Sequence, residues 1–238
     1  MSFLNTIFAL FKGHIKAHTG QFGEDIVIKK LFDRNKKNGF YVDLGANHPY
    51  LHSNTAFFWL KGWTGINVDA NNNSISLFNK VRKKDINLNY AMISSMEYAK
   101  GIRTIDLFLP NEDEPEGISS KASVNKFIAN NRNFKRKKLV DTIDINTLLR
   151  KNKVFEIDYL NIDLEGLDEE ILFDINLEKV KIYLIAVEDY ANNINPSTNS
   201  RITSHMVKNN YDFISRCGPT SIFVRNDSFD FVNQIIKY

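Results

Sequence analysis

Short apolar runs that end in acids recur along the chain and alternate with segments of helical period. Phe40-Tyr41-Val42-Asp43-Leu44, Gly65-Ile66-Asn67-Val68-Asp69, Ile157 to Ile162 before Asp163, and Ile182 to Val187 before Glu188 and Asp189 have strand length. Between them, Ile26, Val27, Ile28, Leu31 and Phe32 recur at helical spacing behind Gly20-Gln21-Phe22-Gly23-Glu24-Asp25, whose acids suit a first helical turn. Asn73 to Lys84, Ile143 to Leu149, Leu167 to Phe173 and Ile202 to Asn209 also read as helices, while Leu88 to Ser94 and Thr104 to Pro110 read as extended. Strands alternating with helices imply parallel pairing through right-handed crossovers. The tail differs: Tyr211 to Ser215 and Ser221 to Val224 flank Cys217-Gly218-Pro219, a hairpin pattern. The expected fold class is α/β, a mostly parallel sheet with a C-terminal antiparallel hairpin.

The strand-end acids carry the candidate chemistry. In an open parallel sheet the carboxyl ends of the strands share one edge, so Asp43, Asp69, Asp163 and the pair Glu188-Asp189 are expected to face one crevice. The competing reading is structural, because an acid after a strand commonly caps the next helix, as Asp163 or Asp168 would. Asp69 stands about one strand-helix-strand step after Asp43, where a ribose-binding acid is expected. The first turn holds Gly45 but lacks a glycine-rich dinucleotide fingerprint, and His48, Pro49 and Tyr50 follow it. That argues against a pyrophosphate cradle and for a nucleoside-like ligand without phosphate.

Composition narrows the classes further. At 238 residues, 43% hydrophobic and 25% charged, the chain fits one generous domain with a substantial core. That domain is read as residues 19–238, after an N-terminal apolar segment, 1–18. A net charge of +3 is too small to argue for nucleic acid. Met1 to Lys12 is apolar but lacks a basic leader, a small-residue cleavage site and the length to span a bilayer. It is expected to dock on its own domain, with a partner subunit or a membrane surface as the alternatives. Cys217 is the one cysteine; it cannot pair internally and suits a reducing, cytoplasmic setting. Residues 111–138 open with Asn111-Glu112-Asp113-Glu114-Pro115-Glu116-Gly117 and close with Lys135-Arg136-Lys137-Lys138. They read as a variable insertion, and the basic run as a solvated face or a phosphate contact for a second substrate.

Four blocks, in this order, resemble the FkbM family of class I S-adenosylmethionine-dependent methyltransferases. They are Gln21-Phe22-Gly23-Glu24-Asp25, Val42 to Pro49 with Ser53-Asn54-Thr55, Gly62 to Ala70, and Tyr159 to Gly166, and the resemblance covers roughly residues 19 to 225. It implies a Rossmann-like sheet of about seven strands. It also implies transfer of a methyl group to a sugar hydroxyl of a nucleotide-activated sugar or of a surface (capsular or lipopolysaccharide) glycan precursor. By the resemblance, Asp43, Gly45 and Asn47 line the methionine part of the cofactor and Asp69 accepts from the ribose hydroxyls. Ala70 and Asn71 flank the adenosine, Ser94 and Asp85 stand near the adenine, and Ala46, Asn54 and Asp163 complete the cofactor-binding set.

A sugar hydroxyl is a poor nucleophile at neutral pH, so a base or a metal is needed. Asp163, Glu188 and Asp189 resemble the divalent-metal arrangement of catechol-type and macrolide-sugar O-methyltransferases, and oxygen ligands of this kind suit Mg²⁺. Without metal, His48 is the best-placed base, with Asp163, Glu165 and Glu188 as competing catalytic groups and His52 and His205 further off. Tyr50, Trp59, Trp63 and Tyr190 are candidates for a flat wall against a sugar or base, although core packing explains Trp59 and Trp63 more simply.

Two other classes stay open at this point. A nicotinamide-dependent oxidoreductase would use the same acid after the second strand, and a noncatalytic nucleoside-binding protein would bind without turnover. The expected partners are a small-molecule or glycan acceptor, including a nucleotide sugar, with no nucleic acid and at most peripheral membrane contact. A homo-oligomer is left open.

Overall fold

The structure, a computed structural model, describes residues 18–32, 37–109, 136–189 and 200–228. Ten strands run β1 Phe40–Leu44, β2 Thr64–Asp69, β3 Ile86–Asn89, β4 Ala91–Met92, β5 Thr104–Leu109, β6 Arg136–Ile143, β7 Glu156–Ile162, β8 Lys181–Glu188, β9 Tyr211–Cys217 and β10 Thr220–Arg225 among the described residues. The helices between them are α1 Glu24–Leu31, α2 Ala56–Leu60, α3 Asn72–Val81, α4 Ser95–Ala99, α5 Ile145–Lys151, α6 Asp168–Asp174 and α7 Arg201–Lys208.

Seven strands form the main sheet in the order β3-β2-β1-β7-β8-β10-β9. From β3 to β8 every neighbour is parallel. One strand is reversed: β10 is antiparallel to both β8 and β9, so the edge strand β9 again runs with the others. The expected parallel sheet with a terminal hairpin is therefore present. The central strands are apolar on both faces because helices cover both. Successive side chains alternate, so Val42, Leu44, Leu160, Ile162, Ile185 and Val187 join one core cluster. Tyr41, Tyr159, Leu184 and Ala186 join Phe58 and Trp63 on the other face. Core packing accounts for Trp63, as the sequence suggested.

The segment before α5 departs from expectation. Residues 136–138, read as the end of an insertion, and Ile143, read as the start of a helix, belong to one strand, β6, which pairs with β5 and β4 in a second, three-stranded sheet. The helix begins only at Ile145, where Asp144 accepts from the Thr147 amide at 3.0 Å. Lysines on one strand with exposed sides look like an insertion in a single sequence; the ladder partner, β5, is what makes them a strand. Lys137 there meets Asp106 at 2.9 Å with both side chains about half exposed, a pair worth little to stability. The N-terminal segment up to residue 17, most of the insertion (110–135), and residues 190–199 with Tyr190 lie outside the described residues. Among the described residues, no helix is long and apolar enough to cross a membrane.

Candidate functional site

Strand β1 lies between β2 and β7, so the chain leaves it in one direction and returns on its other side. At such a switch point the loops diverge and open a crevice over the carboxyl ends of the strands. Gly45 makes the turn. Its φ is +78°, and a β-carbon there would stand 1.8 Å from the carbonyl oxygen of Asp163 at the end of β7. Glycine is demanded both by the left-handed backbone and by the lack of space. The amides of Gly45 and Ala46 donate to the Val68 carbonyl at 2.9 and 3.1 Å, which binds the turn to β2.

Two adjoining cavities fill the crevice. The smaller is walled by Asp69, Ala70, Asn71, Tyr90, Met92 and Leu107. The larger, of about 440 Å³, is walled by Gln21, Phe22, Asp43, Asn54, Asn161 and Glu188, with Ala46 and His52 also on its lining. Gly45, Asn47, Asp163 and Glu165 border both.

Asp69 is held from two sides. One carboxylate oxygen accepts from the Asn47 amide at 2.8 Å and the other from the Asn71 amide at 2.7 Å. The side chain thereby joins the loop after β1 to the loop after β2. Asn89 donates to the carbonyls of Asp69 and Ala70 at 2.9 and 2.8 Å, fixing the backbone of the same wall from β3. Each carboxylate oxygen has more than one lone-pair direction, so the group can accept further hydrogen bonds.

Asp43 belongs to a buried polar column. Thr55 donates to one of its oxygens at 2.6 Å and Asn161 to the other at 3.0 Å. Asn161 in turn accepts from Asn54 and from the Tyr159 hydroxyl. Burial pushes the Asp43 carboxyl above its ordinary range, and the bonds from Thr55 and the charge of Arg82 oppose that rise. Arg82, fully buried, donates to Thr55 at 2.9 Å, to the Tyr41 hydroxyl at 3.0 Å, to Ser53 at 3.0 Å and to the Pro49 carbonyl at 2.5 Å. It therefore braces the loop carrying His52, Ser53 and Asn54 into the larger cavity. Sequence reasoning missed Arg82, because an arginine at a helix end next to Lys83 and Lys84 reads as solvated surface.

The loop after β7 has its own anchor. Glu165 takes φ +53° and Gly166 φ +102°, so the turn doubles back and brings Glu165 to the junction of the cavities. Asp168, at the first turn of α6, accepts from the amides of Leu164 at 2.7 Å and Gly166 at 2.8 Å. Burial raises its pKa to about 6 despite those bonds. Asp168 was read as a cap of the next helix; it is instead the first residue of α6, after an N-cap without a side-chain cap bond, and it shapes the loop bearing Glu165.

Other expected site residues lie elsewhere. Asp85 bonds to the Tyr41 hydroxyl and to Gly65 and Asn67, toward the start of the strands and outside both cavity linings, so it is not beside an adenine site in the crevice. Ser94 is the N-cap of α4, accepting from Glu97, and Ala91 and Met92 line the cavity in its place. His48 is outside both linings; its Nδ1 accepts from the amides of Tyr50 and Leu51 at 3.0 Å and so closes a local turn, while His52 lines the larger cavity. Of the proposed metal ligands, Asp163 and Glu188 share that cavity and Asp189 does not line it. Among the described residues, no group of three or more His, Cys, Asp or Glu side chains is arranged to hold a metal ion, so the expected Asp163-Glu188-Asp189 ligand set is not assembled.

A seven-stranded sheet with one reversed strand, β10, next to its edge, a glycine turn at the switch point and acids on neighbouring strand ends defines a methyltransferase of the Rossmann-like class. The model of the methyltransferase FkbM domain matches residues 43–229, and the chain belongs to that family. No curated protein and no solved structure matches it.

Proposed function

We propose that the protein is an S-adenosylmethionine-dependent O-methyltransferase acting on a sugar hydroxyl. The observation that carries this reading is the meeting of the two cavities at Gly45, Asn47, Asp163 and Glu165. A cofactor in the smaller cavity and an acceptor in the larger one would come together there. The residues fit the cofactor. Asp69 presents a fixed carboxylate to ribose hydroxyls, Ala70 and Asn71 follow it, and Val68, Tyr90, Met92 and Leu107 offer apolar walls to a purine. Gly45, with no side chain, lets the methionine part lie against the backbone beside Asn47, where the smaller cavity opens into the larger one.

When bound, the cofactor supplies an electrophilic methyl group on a sulfonium. The protein's part is to align the acceptor oxygen with that methyl carbon and to take the hydroxyl proton. Glu165, which borders both cavities, is the base in this reading. Glu188, buried at the end of β8 and facing only the larger cavity, holds a neighbouring hydroxyl. Gln21, Ser53, Asn54 and Asn161 add the mixed donors and acceptors that a polyhydroxylated molecule requires. Among the described residues of that lining there is no Lys or Arg to hold a diphosphate, which favours a glycan acceptor over a nucleotide-activated sugar. The one cysteine, Cys217, which has no internal partner, favours the cytoplasm as its setting.

Calorimetric titration with S-adenosylmethionine tests the first half of the reading. Binding to wild type that Asp69→Ala abolishes is expected, and no binding to wild type would end it. Mass spectrometry of a sugar panel incubated with protein and cofactor tests the second half: a mass gain of one methyl group on a sugar is expected, lost in Glu165→Gln. Methylation confined to a non-sugar acceptor would overturn the substrate class.

A further inference from the structure

Phe22 lines the larger cavity and is 52% exposed as a residue, and among the described residues it is the one Phe, Tyr or Trp on that lining. We propose that Phe22 is the platform on which the ring of the acceptor stacks, an inference that rests on the sugar reading above. A lone exposed phenylalanine needs no explanation on a protein surface. This one is exposed into a site and is held still.

Its backbone amide donates to Glu24 Oε2 at 3.0 Å, and Glu24 is itself buried at the start of α1. Just upstream, the Thr19 amide donates to the buried Asp25 at 3.0 Å and the Thr19 hydroxyl to the Ser53 carbonyl at 2.8 Å. The segment is thus fastened both to its own helix and to the loop after β1. The ring rests on the β9–β10 turn, where Gly218 has φ +58° and a β-carbon would come within 2.5 Å of the Phe22 ring. A side chain of any size at residue 218 would displace the ring.

The surroundings complete the match. A pyranose has an apolar face of C–H bonds and an edge of hydroxyls. Phe22, with Pro219 beside it, offers a flat apolar surface, and Gln21, Asn54 and Glu188 stand around it to meet the edge. Tyr50, an expected wall residue, is 43% exposed but packs edge-on against Trp59 and lines neither cavity. An open-chain polyol carries the same hydroxyls with no fixed face, so it should gain nothing from the ring.

Saturation-transfer NMR on protein loaded with S-adenosylhomocysteine reads this directly, using methyl α-glucopyranoside, methyl β-galactopyranoside and open-chain glucitol as probes. Transfer to the ring protons of at least one glycoside is expected for wild type and Phe22→Tyr, with glucitol silent. Phe22→Ala and Gly218→Ala should each lower the signal about fivefold, while affinity for S-adenosylhomocysteine stays within about twofold. Glycoside transfer equal in wild type and Phe22→Ala, or glucitol equal to the glycosides, would overturn the platform and leave the sugar reading standing. No glycoside transfer to wild type would overturn both.

Discussion

Gly45 and Asp163 are packed backbone to backbone: a β-carbon on Gly45 would stand 1.8 Å from the Asp163 carbonyl oxygen. This contact closes the bottom of the crevice and brings the turn after β1 against the end of β7. Gly45→Ala must therefore both strain a left-handed backbone and separate two central strands. A loss of at least about 3 kcal/mol is expected in urea unfolding. A substitution that cost less than about 1 kcal/mol would mean that the strand ends part easily and that the crevice is not rigid.

Asp69→Asn replaces an acceptor by a donor opposite a backbone N–H. Both carboxylate oxygens are used, so whichever way the amide turns, its NH₂ faces the amide of Asn47 or Asn71. About 1–3 kcal/mol of stability should be lost, visible as a lower Tm. In calorimetry, affinity for S-adenosylmethionine should fall at least about tenfold. An unchanged Tm would show that the loop after β1 is held by other contacts.

Arg82→Met leaves Thr55, Ser53 and the Pro49 carbonyl without their donor and removes the positive charge near the buried Asp43. About 3–5 kcal/mol is expected to be lost in denaturant unfolding. Arg82→Lys keeps the charge but not the fork that reaches several acceptors at once, so it should fall between the two. Equal stability of the lysine and methionine variants would assign the effect to geometry alone.

Asp168 links stability to pH. Its folded pKa, about 6, lies above the ordinary 3.8, so the folded protein holds this proton more tightly than the unfolded chain does. The resulting stabilisation is fully present below the unfolded value and is lost as pH rises through the folded one. Relative to Asp168→Asn, wild type should therefore lose about 2 kcal/mol between pH 4 and pH 7. Urea unfolding at the two pH values checks the sign, and a wild type that gains stability relative to the variant over that range would refute it.

The strand and helix order of the main sheet was legible because parallel, doubly covered strands are apolar on both faces and announce themselves as short hydrophobic runs. Its nearest failure, β6, shows the limit. Lys137, Lys138 and Leu139 are exposed there, so no burial pattern marks them, and the strand exists because β5 supplies the opposing ladder. The same division runs through the site. Asp43, Gly45, Asn47, Asp69, Asp163, Glu165 and Glu188, all expected near the crevice, do line its cavities, because each lies at or just beyond a strand end, a place that sequence order can reveal.

Which groups share a cavity is a different matter, because it depends on directions and distances that the order of residues does not encode. His48 and His52 are four positions apart, yet one closes a turn and the other faces the larger cavity. Asp85 looked like a cofactor ligand and belongs to the base of a polar column. Arg82 and Phe22 gave no signal as site residues, the first because burial of an arginine needs partners from several distant segments, the second because its exposure matters only once a cavity wall stands around it. The periodicity of apolar residues and the acids that end them were enough to establish a parallel α/β sheet and the edge that carries its cavities, since both follow from local burial and backbone geometry. Assembly of the two cavities, and the choice of residues that line them, came from packing between segments far apart in the chain, where hydrogen bonds and steric fit are set by three-dimensional contact.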